Sequence, residues 1–561
     1  MPLVLLVDSP IGGFRNPILS ESHVPLVPMP VNSAPELVFG LIAPIGVDLD
    51  VVSEVLDTTL REMRYRAHVL RVTHLMREIG IEAPATPSDD SLPEGSFVRS
   101  YRDRIAHANK IREVLGDFAL SALAVSAIRS FRLEERRRRI DEKPSLDGRP
   151  SEEEEALEEE PIPSQAYIIR QLKRPEEVFL LREVYGRQFI LISAYAPQDW
   201  RIQRIQERER ESRGGLVEDI DAQMLARRLV LQDAKESQDS HGQNVRDAFP
   251  LGDVFIDATS RVKCEQETRR FIHLLFGSNQ VTPTHDEYGA YMAKSASLRS
   301  SDLSRQVGAA IFRQSGQVLT LGCNEVPKAG GGTYWHGDDA DARDFVKGSD
   351  PNDMQKTQIL VDLIDRLRQG GHLSAKLMDN QDANEISRLL LADVGPDSVR
   401  ESRVMDLIEF GRILHAEMSA LSDAARKGIS VEGATLYCTT FPCHLCAKLI
   451  IAAGIKKVIY QEPYPKSYAS DLHGDAIAVD SDNTGGKVVF NSFLGVSPFR
   501  YRDLFEKRRR KNAEGAAERW NQGEARPVIN ALYPFYFRAE TYVAGSLGAL
   551  LQDKLGAKPR Q

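Results

Sequence analysis

His415-Ala-Glu417 and, about two dozen residues later, Pro442-Cys443-His-Leu-Cys446 constrain this chain more than any other feature. An imidazole and two thiols are donors that zinc prefers. A zinc ion that does chemistry takes three protein ligands and leaves its fourth tetrahedral place to water. His415, Cys443 and Cys446 supply the three. The metal lowers the pKa of that water towards 7. Glu417 can take up and return the water's proton without touching the metal. The local pattern fits: Glu417 to Gly428 reads as a helix closed by a glycine, and 434–439 as a strand. Pro442 then opens a helix from Cys443 to Ala453, closed by Gly454. Both half-sites therefore stand at helix N-termini, where a thiolate is favoured. Two alternatives remain open. One is a closed structural site completed by Cys438 or His444. The other is a redox Cys-x-x-Cys pair, which leaves the His-x-Glu unexplained.

A chain of 561 residues is too long for one ordinary core, so two or three domains are expected. A hydrophobic content of 42% with 27% charged residues is that of a soluble globular protein. The net charge of -9 argues against nucleic-acid binding, since phosphate contacts need a basic surface. Five cysteines, two of them committed to metal, give no disulfide framework, and a reducing cytoplasm is the expected location. The apolar run from Leu3 to Val7 has no basic flank and no cleavage-site pattern. No stretch approaches ~20 apolar residues, so no membrane span is expected.

In chain order, residues 1–35 read as an extended arm rich in Pro, Ser and Gly. A buried-looking strand follows from Glu36, then a glycine turn through Gly40, Gly46, Val47 and Asp48, then a helix from Leu49 to Leu70. Such a turn is where α/β nucleotide folds hold phosphate on backbone N–H groups. The lysine and Ser/Thr of a Walker A loop would fall on Val47 and Asp48, so the loop is degenerate. Two helical patterns cover 105–133. A charged stretch at 134–162 reads as a solvated loop or hinge. Order resumes at 166–182, and a helix and the strand Gln188–Ser193 follow. A second α/β segment runs from Leu229 to Ile256. This alternation argues for a parallel sheet covered by helices and resembles the P-loop nucleotide-kinase fold over residues 36–275. A second domain is expected at 276–500. It has a helix through Met292–Leu298, a strand at Val318–Leu321, a polar insertion at 336–410 and a strand at Val458–Tyr460. A C-terminal extension at 501–561 begins basic and turns apolar.

With these residues in place, the chain resembles the zinc deaminases of nucleobases, whose signature is H-x-E followed by P-C-x-x-C. More narrowly it is similar to the deoxycytidylate deaminases and to the bacterial two-domain anti-phage dCTP deaminases. The resemblance implies an α/β chain. In it, a P-loop nucleotide-kinase-like domain precedes a three-layer α/β/α cytidine-deaminase-like domain. It implies Zn2+ as cofactor, Glu417 as proton shuttle, and hydrolysis of dCTP, and of dCMP beside it, to deoxyuridine nucleotides and ammonia. In such a protein the reaction depletes dCTP during phage infection. A housekeeping dCMP deaminase and a tRNA or single-stranded-DNA deaminase are the alternatives. The resemblance places Asn324 at the sugar and Ser304, Arg305 and Gln306 near phosphate. Lys466 and Tyr468 lie in a second segment that reaches phosphate, and Lys328 joins the expected substrate contacts. The degenerate loop at Gly40 to Asp48 predicts a regulatory N-terminal domain that answers to a nucleotide or an inhibitory RNA, and a homo-oligomer is expected.

Overall fold

Six consecutive residues, Leu37–Ile42 (β1), are buried without a break. That is the mark of a strand covered on both faces. In the computed structural model, β1 lies parallel to Gln165–Leu172 (β3) on one side and Phe189–Tyr195 (β4) on the other. Arg66–Arg71 (β2) and Val254–Asp257 (β5) continue the sheet outward, both parallel to their neighbours. The residues described are 34–84, 92–93, 95–141, 161–215, 219–236, 239–374, 377, 382–393, 395, 398–464, 466–481, 485–507, 510–529 and 535–555. The arm expected at 1–35 therefore lies outside them except for its last two residues, and so does most of the charged stretch at 134–162.

One face of this sheet packs on Val72–Glu78 (α2), Ala119–Asp141 (α4) and Pro175–Tyr185 (α5) through Met76, Val125 and Leu181. The other packs on Leu49–Glu62 (α1) and Arg261–Leu275 (α8) through Leu56 and Phe271. The helix expected over 49–70 ends early. Met63 and Arg64 turn the chain, Arg64 with φ of +63°, and 66–71 becomes β2. As the outermost strand it is half exposed, so its apolar residues are too few to separate it from a helical pattern. Within 166–182 the first residues are strand β3, and the helix begins at Pro175, whose ring suits a first turn. Residues 134–141, expected in a loop, continue α4.

A second sheet has the order β10-β11-β9-β8-β6-β7. Its strands are Gly308–Phe312 (β6), Val318–Cys323 (β7), Thr435–Thr440 (β8), Lys457–Glu462 (β9), Ile477–Val479 (β10) and Val488–Ser492 (β11). β6 runs antiparallel to β7 and β8, and the remaining pairs are parallel. His285–Ser297 (α9) covers one face through Ala290 and Ala293. Ala416–Lys427 (α12) and His444–Ala452 (α13) cover the other through Ala420, Ala424, Ala447 and Ile450. Among the described residues, no single helix is long and apolar enough to cross a membrane.

After β11 the chain returns to the first sheet. Gly495–Val496 (β12) pairs antiparallel with β5 as its edge strand. Pro498–Phe505 (α14) adds Leu504 to the core beneath α1 and α8. Phe535–Leu555 (α15) packs Tyr536 and Leu547 beside α4. Glu287, fully buried at the start of α9, accepts from Thr284 N (2.7 Å) and Val496 N (2.9 Å) and pairs with Arg270 (2.7 Å).

α15 is fastened by a buried ion network. Arg132 donates to Glu36 (2.9 Å) and Glu540 (2.7 Å), and Tyr167 and Tyr536 donate their hydroxyls to Glu36. Removing the guanidinium leaves two carboxylates buried without a counter-charge. Breaking a buried pair in this way costs about 3–5 kcal/mol. Arg132→Met is therefore expected to lower the free energy of unfolding by that order. Denaturant titration followed by circular dichroism measures it, and a change under 1 kcal/mol would show the network to be dispensable.

Candidate metal centre and its cavity

His415 is the N-cap of α12 and Cys443 the N-cap of α13. The two helices lie side by side on one face of the second sheet, so their N-termini face the same space. Cys446, one turn into α13, completes the group. The ligand atoms of His415, Cys443 and Cys446 all lie within 4.8 Å of one another. His415 Nδ1 stands 3.3 Å from Cys443 Sγ and 3.4 Å from Cys446 Sγ. A tetrahedral ion at ordinary zinc distances spaces nitrogen and sulfur about 3.6 Å apart. The donor set and its spacing fit zinc with an adjustment of a few tenths of an ångström.

The two candidates for the one further ligand that a closed site would need are elsewhere. Cys438 is buried on β8 with its thiol against the carbonyl of Ile459 (3.6 Å). His444 turns its Nε2 towards Glu409 (3.8 Å) and its ring edge towards Tyr468. Among the described residues the cluster has three members. Glu417, only 4% exposed, sits beside it with Oε2 3.4 Å from Cys446 Sγ.

The electrostatics follow from burial and contact. Cys446 hydrogen-bonds to Cys443, and with His415 alongside this holds the Cys443 thiol far below the usual range, at about 4. The same contact with Cys443, then burial, pushes Cys446 up. His415 is raised by its hydrogen bond with Cys443. Burial raises Glu417. The contacts thus favour ionisation of Cys443, in the same sense as the positive ends of the two helices.

His415, Glu417 and Cys443 form one wall of a cavity of about 200 Å³, with Cys446 buried behind them. Asn324, Ser304 and Arg305 line it too. Asn324 organises the loop before β6. Its Oδ1 accepts from Val307 N (2.7 Å), and its Nδ2 donates to Asp302 (2.9 Å) and to the carbonyl of Arg305 (2.8 Å). Arg305 lies over the ring of Tyr464, 4.9 Å from its centre. Four expected contacts are not in the lining. Gln306 donates to the carbonyl of Ser300 (2.8 Å). Lys328 pairs with Asp338 (2.8 Å) and lines a separate cavity. Lys466 is paired with Asp406, and Tyr468 is spent against His444. Asp302, Arg412, Phe441 and Tyr464 also line the cavity. The stretch expected as an insertion, 336–410, also reaches the cavity through Asp344, Asp350, Asn352 and Ile408. Asp350 caps Pro351–Gln369 (α10), and Asn352 ties that helix to the carbonyl of Leu407 (2.9 Å). Arg412, three residues before the histidine, pairs with Asp344 (2.9 Å) and was within reach of sequence reasoning. The others had no periodic or motif signal.

Residues 283–462 match the model of the cytidine and deoxycytidylate deaminase zinc-binding region. This part of the chain thus carries the zinc-binding region of those deaminases, and zinc is the metal its donor set holds. A deoxycytidylate deaminase of Enterobacteria phage T2 is 54% identical over 54 residues, 10% of this chain and 29% of that protein. A human deoxycytidylate deaminase is 35% identical over 79 residues, 14% of this chain and 36% of that one. The chain therefore spans about a third of the length of the curated relatives it matches. A crystal structure of dCMP deaminase from the cyanophage S-TIM5 aligns with 38% of this chain and 99% of its own, at 19% identity and a TM-score of 0.20.

α12 can carry His415 and Glu417 to this position only because β7 has a glycine beneath it. A Cβ at Gly322 would lie 2.2 Å from the carbonyl oxygen of Ala416 and 2.5 Å from Ala420 N. Both atoms are backbone and cannot turn aside. Gly322→Ala is expected to displace α12 and to destabilise the chain by about 1–3 kcal/mol, the usual range for overpacking. Thermal unfolding together with zinc content checks this, and a variant with wild-type values of both would show that the helix has room.

Proposed function

We propose that this chain removes the 4-amino group of deoxycytidine nucleotides by hydrolysis, giving deoxyuridine nucleotides and ammonia. The observation that carries the reading is a buried carboxylate, Glu417, against a three-donor cluster at the wall of a cavity of about 200 Å³. When bound there, zinc supplies the Lewis acidity that makes water nucleophilic at neutral pH. Glu417 moves the protons. It takes one from the attacking water and delivers it to the ring nitrogen next to C4, then takes the second from the hydroxyl now on C4 and passes it to the departing amine. Burial, which raises its pKa, suits it to hold a proton between these transfers. The C4–O bond forms first, which makes C4 tetrahedral; the C4–N bond then breaks as ammonia leaves, and water supplies the oxygen.

Asn324 keeps one lone pair of Oδ1 after its bond to Val307 and offers it to a sugar hydroxyl. Arg305 brings a guanidinium suited to phosphate. The substrates proposed are dCTP and, beside it, dCMP. The role proposed is depletion of dCTP against phage, with a housekeeping dCMP deaminase as the reading that shares the same chemistry. Three carboxylates in the lining, Asp302, Asp344 and Asp350, and a net charge of -9 weigh against a polynucleotide substrate. A cytoplasmic homo-oligomer is part of the same proposal.

The test is incubation of the purified chain with dCTP, dCMP, CTP and single-stranded oligonucleotides, with uracil products read by chromatography. Uracil formed from the oligonucleotides alone would overturn the reading. Glu417→Gln should keep zinc at wild-type stoichiometry while turnover falls at least about 10²-fold, the lower bound for a lost acid–base group. Near-wild-type turnover would remove Glu417 from the mechanism. Cys443→Ser should lower metal content and activity together, because ligand loss weakens binding and a three-ligand site has no spare. Full zinc occupancy in that variant would place the metal elsewhere.

A further inference from the structure

The first sheet carries a cavity of its own, about 280 Å³, at the carboxyl ends of β1, β2 and β3. In open α/β sheets this is the edge where ligands bind. The loop that such folds use for phosphate is closed here. Asp48 caps α1 and accepts from Asp50 N (3.0 Å) and Val51 N (3.4 Å). Asp233, fully buried, accepts from Ile45 N (2.7 Å) and from Lys173 Nζ (2.5 Å). Gly46, with φ of +98°, is packed so closely on the backbone of Arg201 in Gln198–Ser212 (α6) that a Cβ would lie 2.8 Å from the arginine's own Cβ. Three backbone donors of this turn, Ile45 N, Asp50 N and Val51 N, are thus taken by the protein's own carboxylates, and Val47 N goes to the carbonyl of Pro44 (3.4 Å). Gly40 lies within β1, under Phe189, and takes no part in the loop.

The cavity beside the loop has the opposite character. Arg71, Arg104, Arg112, Arg170 and Arg208 line it with Lys173; Asp50 is the one carboxylate in the lining, and from outside it Asp48 reaches Arg208 (3.4 Å), Glu177 holds Arg112 (2.9 Å) and Asp233 holds Lys173. In a chain of net charge -9, this concentration of positive charge is local. Asp50 holds both Arg170 and Arg71, as an anion from outside would. Phe97 and Tyr101 of Phe97–Leu115 (α3) form an aromatic wall. Arg208 lies over the first at 5.6 Å and Arg104 over the second at 4.7 Å. Away from the arginines the lining becomes apolar and buried, with Met76, Ile105 and Leu120. Among them Gln243 is 3% exposed, and its Oε1 has no hydrogen-bond donor. A buried acceptor without a partner is destabilising, and a ligand N–H would satisfy it.

We propose that this cavity binds a nucleoside phosphate that is held and not turned over. The phosphates lie among the arginine side chains. The base lies against the aromatic and apolar wall with one N–H donated to Gln243 Oε1. The proposal deepens the N-terminal role expected from the sequence and is independent of the zinc chemistry. Guanidinium groups hold phosphate bidentately without a backbone cradle, and with the loop sealed no γ-phosphate is positioned for transfer.

The test uses the full chain and the non-cytosine nucleotides ATP, dATP, GTP, dGTP, UTP and dTTP. Binding is read by calorimetry and by amide hydrogen exchange. At least one nucleotide is expected to bind and to slow exchange at residues 44–51 and 97–108, with exchange at 302–307 and 408–417 unchanged. Arg104→Gln and Arg170→Gln should each weaken it at least tenfold, and Gln243→Leu should alter the preference among bases. Binding of none of the six, protection confined to the zinc cavity, equal binding of inorganic tripolyphosphate, or binding only of an RNA oligonucleotide would each overturn the proposal. Steady nucleotide hydrolysis that disappears in Arg170→Gln would overturn its non-catalytic part. The exchange measurement needs no variant, so it decides even where a substitution impairs folding.

Discussion

The chemistry of the second sheet rests on how closely one helix can lie on one strand. Gly322 in β7 brings the backbone of α12 almost into contact with the sheet, and the small side chains of Ala416, Ala420 and Ala424 keep it there. A larger residue at any of these positions lifts the helix. His415 and Glu417 sit at the N-terminus of α12, so a lift moves both relative to α13, which carries the thiols. Donor atoms 3.3–3.4 Å apart leave little tolerance. The metal site is precise because backbones are packed on backbones, with few flexible side chains between them.

The two crevices use helix N-termini in contrasting ways. Partial positive charge gathers at the start of any helix and attracts whichever anion is nearest. At α12 and α13 that position is occupied by donors poised for a metal. At α1 it is sealed by Asp48. The first sheet is parallel apart from β12, with helices on both faces, and the arginine side chains of its cavity come from β2, β3, α3 and α6.

What could be read in the sequence divides along physical lines. The spacing of His415, Glu417, Cys443 and Cys446, with a strand between two helix starts, is a local pattern, and the structure assembles it as the pattern implies. The buried strands β1 and β4 were legible as continuous apolar runs. β2 was not, because an exposed outer strand keeps too few apolar residues to interrupt the helical period before it. Substrate contacts outside the metal motif were the least legible. Lys466 is the type that holds phosphate, yet its ammonium is committed to Asp406. Asp302 and Tyr464 reach the cavity through loop geometry that no periodicity encodes. The wall supplied by 336–410 was invisible for the same reason, since a polar stretch gives no sign of what it folds over.

Glu287 has a consequence for how this chain is assembled. One buried carboxylate grips Thr284, where the chain leaves the first sheet's helices, and Val496, where it rejoins their sheet. The second sheet is thus a cassette whose two ends meet at a single clasp. It is spliced into the middle of the first unit and not appended to it. Such a cassette has two covalent tethers and no free swing. Phe255 of β5 shares a buried core with Ala290, Phe312 and Tyr437 of the cassette, and truncation at either tether strips the host of β12 and α15. Arg270 completes the clasp from α8, so any shift of that helix pulls on the entrance and the exit of the cassette at once.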